Sequence, residues 1–149
     1  MIRRYRTSDL DGAAAVFIAS FSADPWNEEW PFELAVVRIE ELMSAPQSIG
    51  YICEENGVIQ AILCGRKLDY LYGPEYVIDE FCVDPQFHRQ GIGTAVLEFA
   101  RAELSSEGVV AMALMTTKGY PSEKFYRRNG FDGNNDMIFM YRSIKGECK

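Results

Sequence analysis

The run Arg89-Gln90-Gly91-Ile92-Gly93-Thr94 is the stretch of this chain whose residue types and spacing most directly imply chemistry. It follows an apolar segment, Val77 to Val83. It precedes a stretch in which Ile92, Ala95, Val96, Phe99, Ala100 and Leu104 fall on one arc at about 100° per residue. Strand, glycine loop and amphipathic helix are expected in that order, with Glu103 interrupting the arc. The first N–H groups of a helix lack partners within it, and the macrodipole places about half a positive charge there, so an anion is the natural ligand. Gly91 and Gly93 remove Cβ atoms that would hold a phosphate away, and Arg89 adds a fixed charge at the rim. A pyrophosphate suits such a cradle. A dinucleotide fingerprint would need a third glycine where Val96 stands, and a P-loop would need Gly-Lys-Ser/Thr where the chain has Gly93-Thr94-Ala95. Neither pattern matches.

With their surroundings, these residues resemble the GNAT (GCN5-related N-acetyltransferase) superfamily. Val83-Asp84-Pro85 is similar to the end of that family's central strand, and His88 to Gly93 is similar to its Gln/Arg-x-x-Gly-x-Gly/Ala signature, with His88 in place of Gln or Arg. Downstream, Phe125-Tyr126-Arg127-Arg128-Asn129-Gly130-Phe131 resembles the second signature, a Tyr on a short helix ending in Gly-Phe. Gly119 stands seven residues before that Tyr, where Asn is often found. The resemblance spans nearly the whole chain. It implies one domain over residues 1–149 with the α/β (α+β) acyl-CoA N-acyltransferase fold. The implied order is a strand, two helices, three strands, a helix, a strand, a helix and two final strands, which form one mixed sheet.

The same resemblance implies acetyl-CoA as donor, a primary amine as acceptor and no metal, because a thioester is already activated. Phe81, Cys82 and Val83 would pair through their backbone with the pantetheine arm, and Arg89, Gln90, Gly91, Ile92, Gly93 and Thr94 would hold the pyrophosphate. An amine resembling lysine, with a pKa of about 10.4, must lose a proton before it attacks. Glu80 is the first candidate base and Asp79 the second, because strand alternation sends the two to opposite faces; both could equally be strand charges without a role. Tyr126 matches the motif position of a phenol that gives a proton to the departing thiolate, whose thiol form has a pKa of about 8.5 if it behaves like cysteine. The alternative for Tyr126 is a core tyrosine on an amphipathic helix.

Composition narrows the classes. A chain of 149 residues, 48% of them hydrophobic, suffices for one core, and its net charge of −7 argues against nucleic acid, which needs a basic face. No run approaches the roughly 18 apolar residues of a membrane span, and the N-terminus carries no apolar signal core, so a cytoplasmic protein without membrane association is expected. Cys53, Cys64, Cys82 and Cys148 show no CxxC spacing, and the first three sit in apolar runs, which disfavours metal and disulfide roles.

The elements that must position these residues read in order. Met1 to Arg6 suggests a strand; Thr7 or Ser8 could cap a helix whose stripe is Leu10, Ala14, Phe17, Ile18 and Phe21, with Asp9 and Asp11 in its first turn. Trp26 and Trp30 lie in a polar, proline-flanked connection. They are either a staple between two helices or an aromatic wall of the acceptor pocket, where Glu28 would meet a cationic amine or merely serve a helix start. Phe32, Ala35, Val36, Ile39 and Met43 predict a second helix. Ser48 to Glu54 and Val58 to Arg66 predict a hairpin about Asn56-Gly57, followed by a connection from Lys67 to Glu75. Val109 to Thr116 predicts a strand parallel to Val77–Val83, Ser122 to Arg128 a short helix opened by Pro121, Met137 to Ile144 a last strand, and Lys145 to Lys149 a loose tail.

The residues leave three functions open: small-molecule N-acetyltransferase, acetyltransferase of protein termini or lysines, and a non-catalytic acyl-CoA sensor. The aromatic supply of Trp26, Trp30, Tyr70 and Tyr72 favours a small-molecule amine. A homodimer is a family habit that comes with the resemblance.

Overall fold

A computed structural model describes residues 1–146. The chain divides into two compact units, Met1–Thr116 and Thr117–Lys149. The first contains β1 (Ile2–Arg4), α1 (Leu10–Ser22), α2 (Phe32–Ser44), β2 (Ser48–Glu55), β3 (Val58–Tyr70), β4 (Gly73–Val83), α3 (Ile92–Ser106) and β5 (Ala111–Ala113), and the second contains α4 (Pro121–Arg128). The fold is mixed α/β. Its sheet runs β1-β2-β3-β4-β5, antiparallel except for the β4–β5 pair, which is parallel.

The two faces of this sheet carry different helices. On one face, α1 and α2 bury Ala13, Ala14, Phe17, Ala35 and Ile39 against Ile52, Ile62, Cys64 and Cys82. On the other, α3 brings Val96, Leu97, Ala100 and Leu104 inward, while the buried Tyr51 and Tyr76 meet edge-to-face with centroids 6.4 Å apart. Tyr51 also meets Phe99 in this way, at 6.0 Å. The buried stripe of α3 is therefore rotated from the sequence arc: Gly93 and Leu97 belong to it, and Phe99 is 40% exposed. Glu103 interrupts the arc because Arg4 of β1 reaches it, Nε to Oε1, at 2.9 Å.

The Asn56-Gly57 hairpin forms as expected, both residues taking positive φ. Other expectations fail for stated reasons. Lys67 to Glu75 is mostly strand, since β3 continues to Tyr70 and β4 starts at Gly73, leaving a tight turn at Leu71-Tyr72. Lys67, Asp69 and Glu75 interrupt its apolar and aromatic residues, which reads as loop in a single sequence. Neither Thr7 nor Ser8 caps α1; the Asp9 carboxylate accepts the Arg6 N–H at 2.7 Å and both guanidinium nitrogens of Arg3 at 2.8 Å. The run from Val109 to Thr116 supplies only the three residues of β5.

The predicted sheet of six to seven strands has five among the described residues, and Met137 to Ile144 forms no strand. Apolar β-forming residues make a strand only within a ladder, and the ladders among the described residues are those joining β1 through β5. The predicted tail from Lys145 extends past the described residues, and Cys148 lies beyond them.

Candidate active site

The loop after β4 is built from short-range hydrogen bonds. Asp84 accepts the Gln86 N–H at 3.0 Å and starts a 3-10 turn over Pro85–Phe87. His88 then reaches back, its Nε2 lying 2.9 Å from the Val83 carbonyl oxygen. A carbonyl only accepts, so Nε2 carries the proton. His88 at the first signature position thus fastens the loop to the strand end. Arg89 and Gly91 both take left-handed backbone angles, φ 60° and 76°, and among the described residues no side chain caps the start of α3.

A Cβ on Gly91 would meet no atom within 4 Å. Glycine is demanded there by the backbone angle, and open space lies over the helix start. The N–H groups of Ile92, Gly93 and Thr94 precede the first helical bond, Ala95 N–H to Gly91 O at 3.0 Å. Uncapped main-chain donors with the exposed Arg89 beside them are a donor set that fits a diphosphate.

Beside the loop the sheet opens. The parallel ladder of β4 with β5 runs from Glu75↔Ala111 to Val77↔Ala113 and ends there. Toward its carboxyl end β4 continues its ladder with β3 through Leu63↔Phe81, Ile62↔Cys82 and Ala61↔Val83. An amide-rich chain laid in this opening would lie where a sheet strand would otherwise continue.

The two candidate carboxylates sit where the β3–β4 register slips. Cys64 faces Glu80 and Gly65 faces Ile78, so Asp79 is an extra residue opposite none of β3. The bulge overturns the expected alternation. Glu80 shares the side of Cys64 and Cys82, and Asp79 reaches Arg66, two residues along β3 on that same side. Arg66 takes both oxygens of Asp79, Nε at 2.8 Å and Nη2 at 2.9 Å. Glu80 receives Arg38 Nη2 on Oε1 at 2.9 Å, and among the described residues Oε2 takes no hydrogen bond. Burial raises the Glu80 carboxyl above its ordinary pKa; Arg38 opposes the rise, and the charges of Asp79 and Glu28 add to it. Glu80 is thus a largely buried carboxylate of increased basicity with one oxygen uncommitted.

Glu28 belongs to a cavity of about 570 Å³ lined by Ile18, Ser22 and the run from Asn27 to Pro31. Trp30 donates from Nε1 to Glu28 Oε1 at 3.0 Å and packs edge-on against Phe17 at 4.8 Å, while Trp26 packs on Phe21 at 5.4 Å. The tryptophans therefore staple α1 to the connection that follows it. Trp30 lines the cavity as well. Trp26 is not among the cavity residues.

Tyr126 lies in the second unit, on α4, with its ring 5.3 Å from Phe125 and 5.4 Å from Phe131. Gly119 has φ 84° and donates its N–H to Glu123 Oε1 at 2.9 Å. The left-handed angle explains glycine at this position, and the bond to Glu123 fastens the turn to the first turn of α4.

The sequence profile described as the Acetyltransferase (GNAT) family matches residues 15–131. The chain belongs to that family. Solved structures agree with this GNAT chain in fold at low identity. A possible acetyltransferase from Clostridium difficile 630 aligns with a TM-score of 0.81 at 17% identity, over 97% of each chain. An aminoglycoside acetyltransferase, meta-AAC0020 from an uncultured soil metagenomic sample in complex with sisomicin, aligns at 0.77 and 19%, over 97% of this chain and 96% of its own. Aminoglycoside N-acetyltransferase AAC(6')-Iy in complex with CoA aligns at 0.75 and 19%, over 97% and 94%. No curated protein matches the GNAT chain in sequence.

Sequence reasoning missed two residues of this candidate site, Arg38 and Arg66. The one sequence signal for Arg38 was its place beside the buried Ile39 of α2; its partner, 42 residues away, left none. Among the described residues, no group of three or more His, Cys, Asp or Glu is arranged to hold a metal, and no helix is long and apolar enough to cross a membrane.

Proposed function

We propose that the 149 residues act as one acetyltransferase domain, moving the acetyl group of acetyl-CoA to a primary amine of a small molecule by direct attack with both substrates bound. The observation that carries this reading is the contrast between the two bulge carboxylates. Arg66 occupies both oxygens of Asp79, whereas Glu80 keeps Oε2 uncommitted on a side chain only 15% exposed.

Bound acetyl-CoA supplies an acyl carbon already activated as a thioester. Main-chain groups of Phe81, Cys82 and Val83 pair with the pantetheine arm, and Arg89 to Thr94 hold the diphosphate. Glu80 takes one proton from the ammonium, directly or through one water, and frees the nitrogen lone pair. The C–N bond forms, the C–S bond breaks, and sulfur leaves with the electron pair. Sulfur takes up a proton, for which the motif position of Tyr126 makes it the proposed donor, and nitrogen loses its second proton as the amide forms. Free amine plus thioester thereby yields amide plus thiol, with atoms and charge balanced.

The acceptor is assigned from the cavity beside α1. Its volume lies within the roughly 300–1,000 Å³ usual for small-molecule sites, and it combines the Trp30 ring with the carboxylates of Glu28 and Glu29. Those groups suit a cation, and the aminoglycoside acetyltransferases of the same fold support an amine-rich acceptor. A panel of amines, with acetyl-CoA as donor and thiol release as readout, tests the reading. Turnover with small polyamines or amino sugars is expected; release no faster than hydrolysis across the panel overturns it. In parallel, Glu80→Gln should move the pH-rate profile toward alkaline pH, where the amine sheds its own proton. A profile that stays in place removes Glu80 as the base.

A further inference from the structure

We infer that Arg38 is the positioning residue of the reaction: it holds Glu80 Oε1 and so presents Oε2 to the incoming amine. The inference deepens the function proposed above and rests on Glu80 as the base. Arg38 stands on α2, 42 residues from its partner, and its backbone is fixed from both sides by Ala35 and Ile39, each fully buried in the core. Its Nη2 lies 2.9 Å from Glu80 Oε1, with the Arg38 side chain 40% exposed and that of Glu80 15% exposed. A guanidinium carried on a core-anchored backbone and bonded to one oxygen of a largely buried carboxylate fixes the direction of the other oxygen.

The charge matters as much as the geometry. The groups around Glu80 are Asp79 and Cys82 on its own strand, Cys64 opposite it on β3, Glu28 from the connection after α1, and Arg38. Two of them are carboxylates that oppose ionisation of Glu80, as burial does, and Asp79 is already paired with Arg66. Arg38 is the group among these that favours the ionised base at working pH. Removing it leaves Glu80 protonated over a wider range, so the acid limb of activity moves toward alkaline pH. Lysine at this position keeps a charge but not the planar fork, which separates electrostatic from directional loss.

The test compares pH profiles of kcat/KM for wild type, Arg38→Met, Arg38→Gln, Arg38→Lys and Glu80→Gln, with thermal melting of each. Both neutral variants are expected to lose about tenfold near pH 6 and to converge toward wild type at alkaline pH, a loss set by removing an opposite charge within hydrogen-bond distance. Arg38→Lys should recover most of the acid limb while keeping a lower kcat, because the remaining cost is orientation. Two neutral variants are used so that one poorly folded protein does not decide the result. If Glu80→Gln moves the acid limb toward alkaline pH and the folded neutral variants leave it in place, the Arg38 role is overturned and the base assignment stands. If Glu80→Gln itself leaves the limb unmoved, both fall together.

Discussion

Replacing Gly65 by alanine should destabilise the protein far more than one methyl suggests. A Cβ at Gly65 would lie 2.4 Å from Tyr76 Cζ, 2.7 Å from the Tyr76 hydroxyl and 2.6 Å from the Val77 carbonyl oxygen. The ring is fully buried and its hydroxyl donates to Ile49 O at 2.6 Å, so it cannot yield without losing that bond. The carbonyl belongs to the β3–β4 ladder, where Arg66 pairs with Val77, and cannot rotate away. Overpacking of this kind costs about 1–3 kcal/mol, and the disturbed hydrogen bond adds about 1 kcal/mol. A loss of about 2–4 kcal/mol in a domain of this size lowers Tm by roughly 10 °C. Thermal melting and urea titration measure it. The loss should shrink in a Tyr76→Leu background, where the ring is gone, and the difference between the two backgrounds gives the coupling. A Gly65→Ala protein melting within about 2 °C of wild type would refute the packing argument. Because Gly65 faces Ile78, next to the bulged Asp79, the folded fraction should also lose activity.

Other expectations follow from single contacts. Tyr126→Phe should lower kcat by about 10²-fold, the lower end of general-acid effects, with CoA affinity nearly unchanged in calorimetry; an unaltered kcat removes the phenol from the reaction. His88→Ala should weaken CoA about fivefold by releasing the loop from Val83, while His88→Gln, which keeps a donor, should bind more tightly than the alanine variant; equal affinities would leave the His88 bond without a role in binding. Asp9→Asn should cost about 3 kcal/mol at neutral pH, because the half-buried Arg3 loses its main partner; chemical denaturation reads the difference. The Arg3 guanidinium holds the Asp9 carboxyl below the usual carboxylate value, against burial and with help from the Arg6 N–H. A depressed folded pKa contributes stability that is complete above the unfolded value of about 3.9 and lost as pH falls through the folded one. The gap between wild type and Asp9→Asn should therefore close in acid, and a constant gap would contradict the assignment.

What the sequence made legible were features set by neighbouring residues. The glycine loop, the Asn56-Gly57 hairpin and α4, opened by Pro121 and followed by Gly130 at φ 87°, depend on local backbone angles and caps. What it hid depends on partners far along the chain. Asp79 and Glu80 look like an alternating pair until β3 is laid beside them and the slip at Gly65 turns both to one side. Arg38 and Glu80, 42 residues apart, carry no mutual signal in one sequence. The run from Met137 to Ile144 shows the converse: β-forming side chains describe a strand, but only a ladder makes one.

The three described cysteines have a practical consequence at the bench. Cys53, Cys64 and Cys82 are buried and free, and each thiol is raised above its ordinary pKa, Cys64 to about 12, chiefly by burial. Since thiolate is the reactive form, these side chains should be inert to disulfide dyes and alkylating agents while the fold is intact. Colour developed with such a dye during turnover would then count coenzyme leaving group, with at most one equivalent per chain from the protein itself. Colour that appears on heating without substrate would count unfolding, so one reagent reports both events.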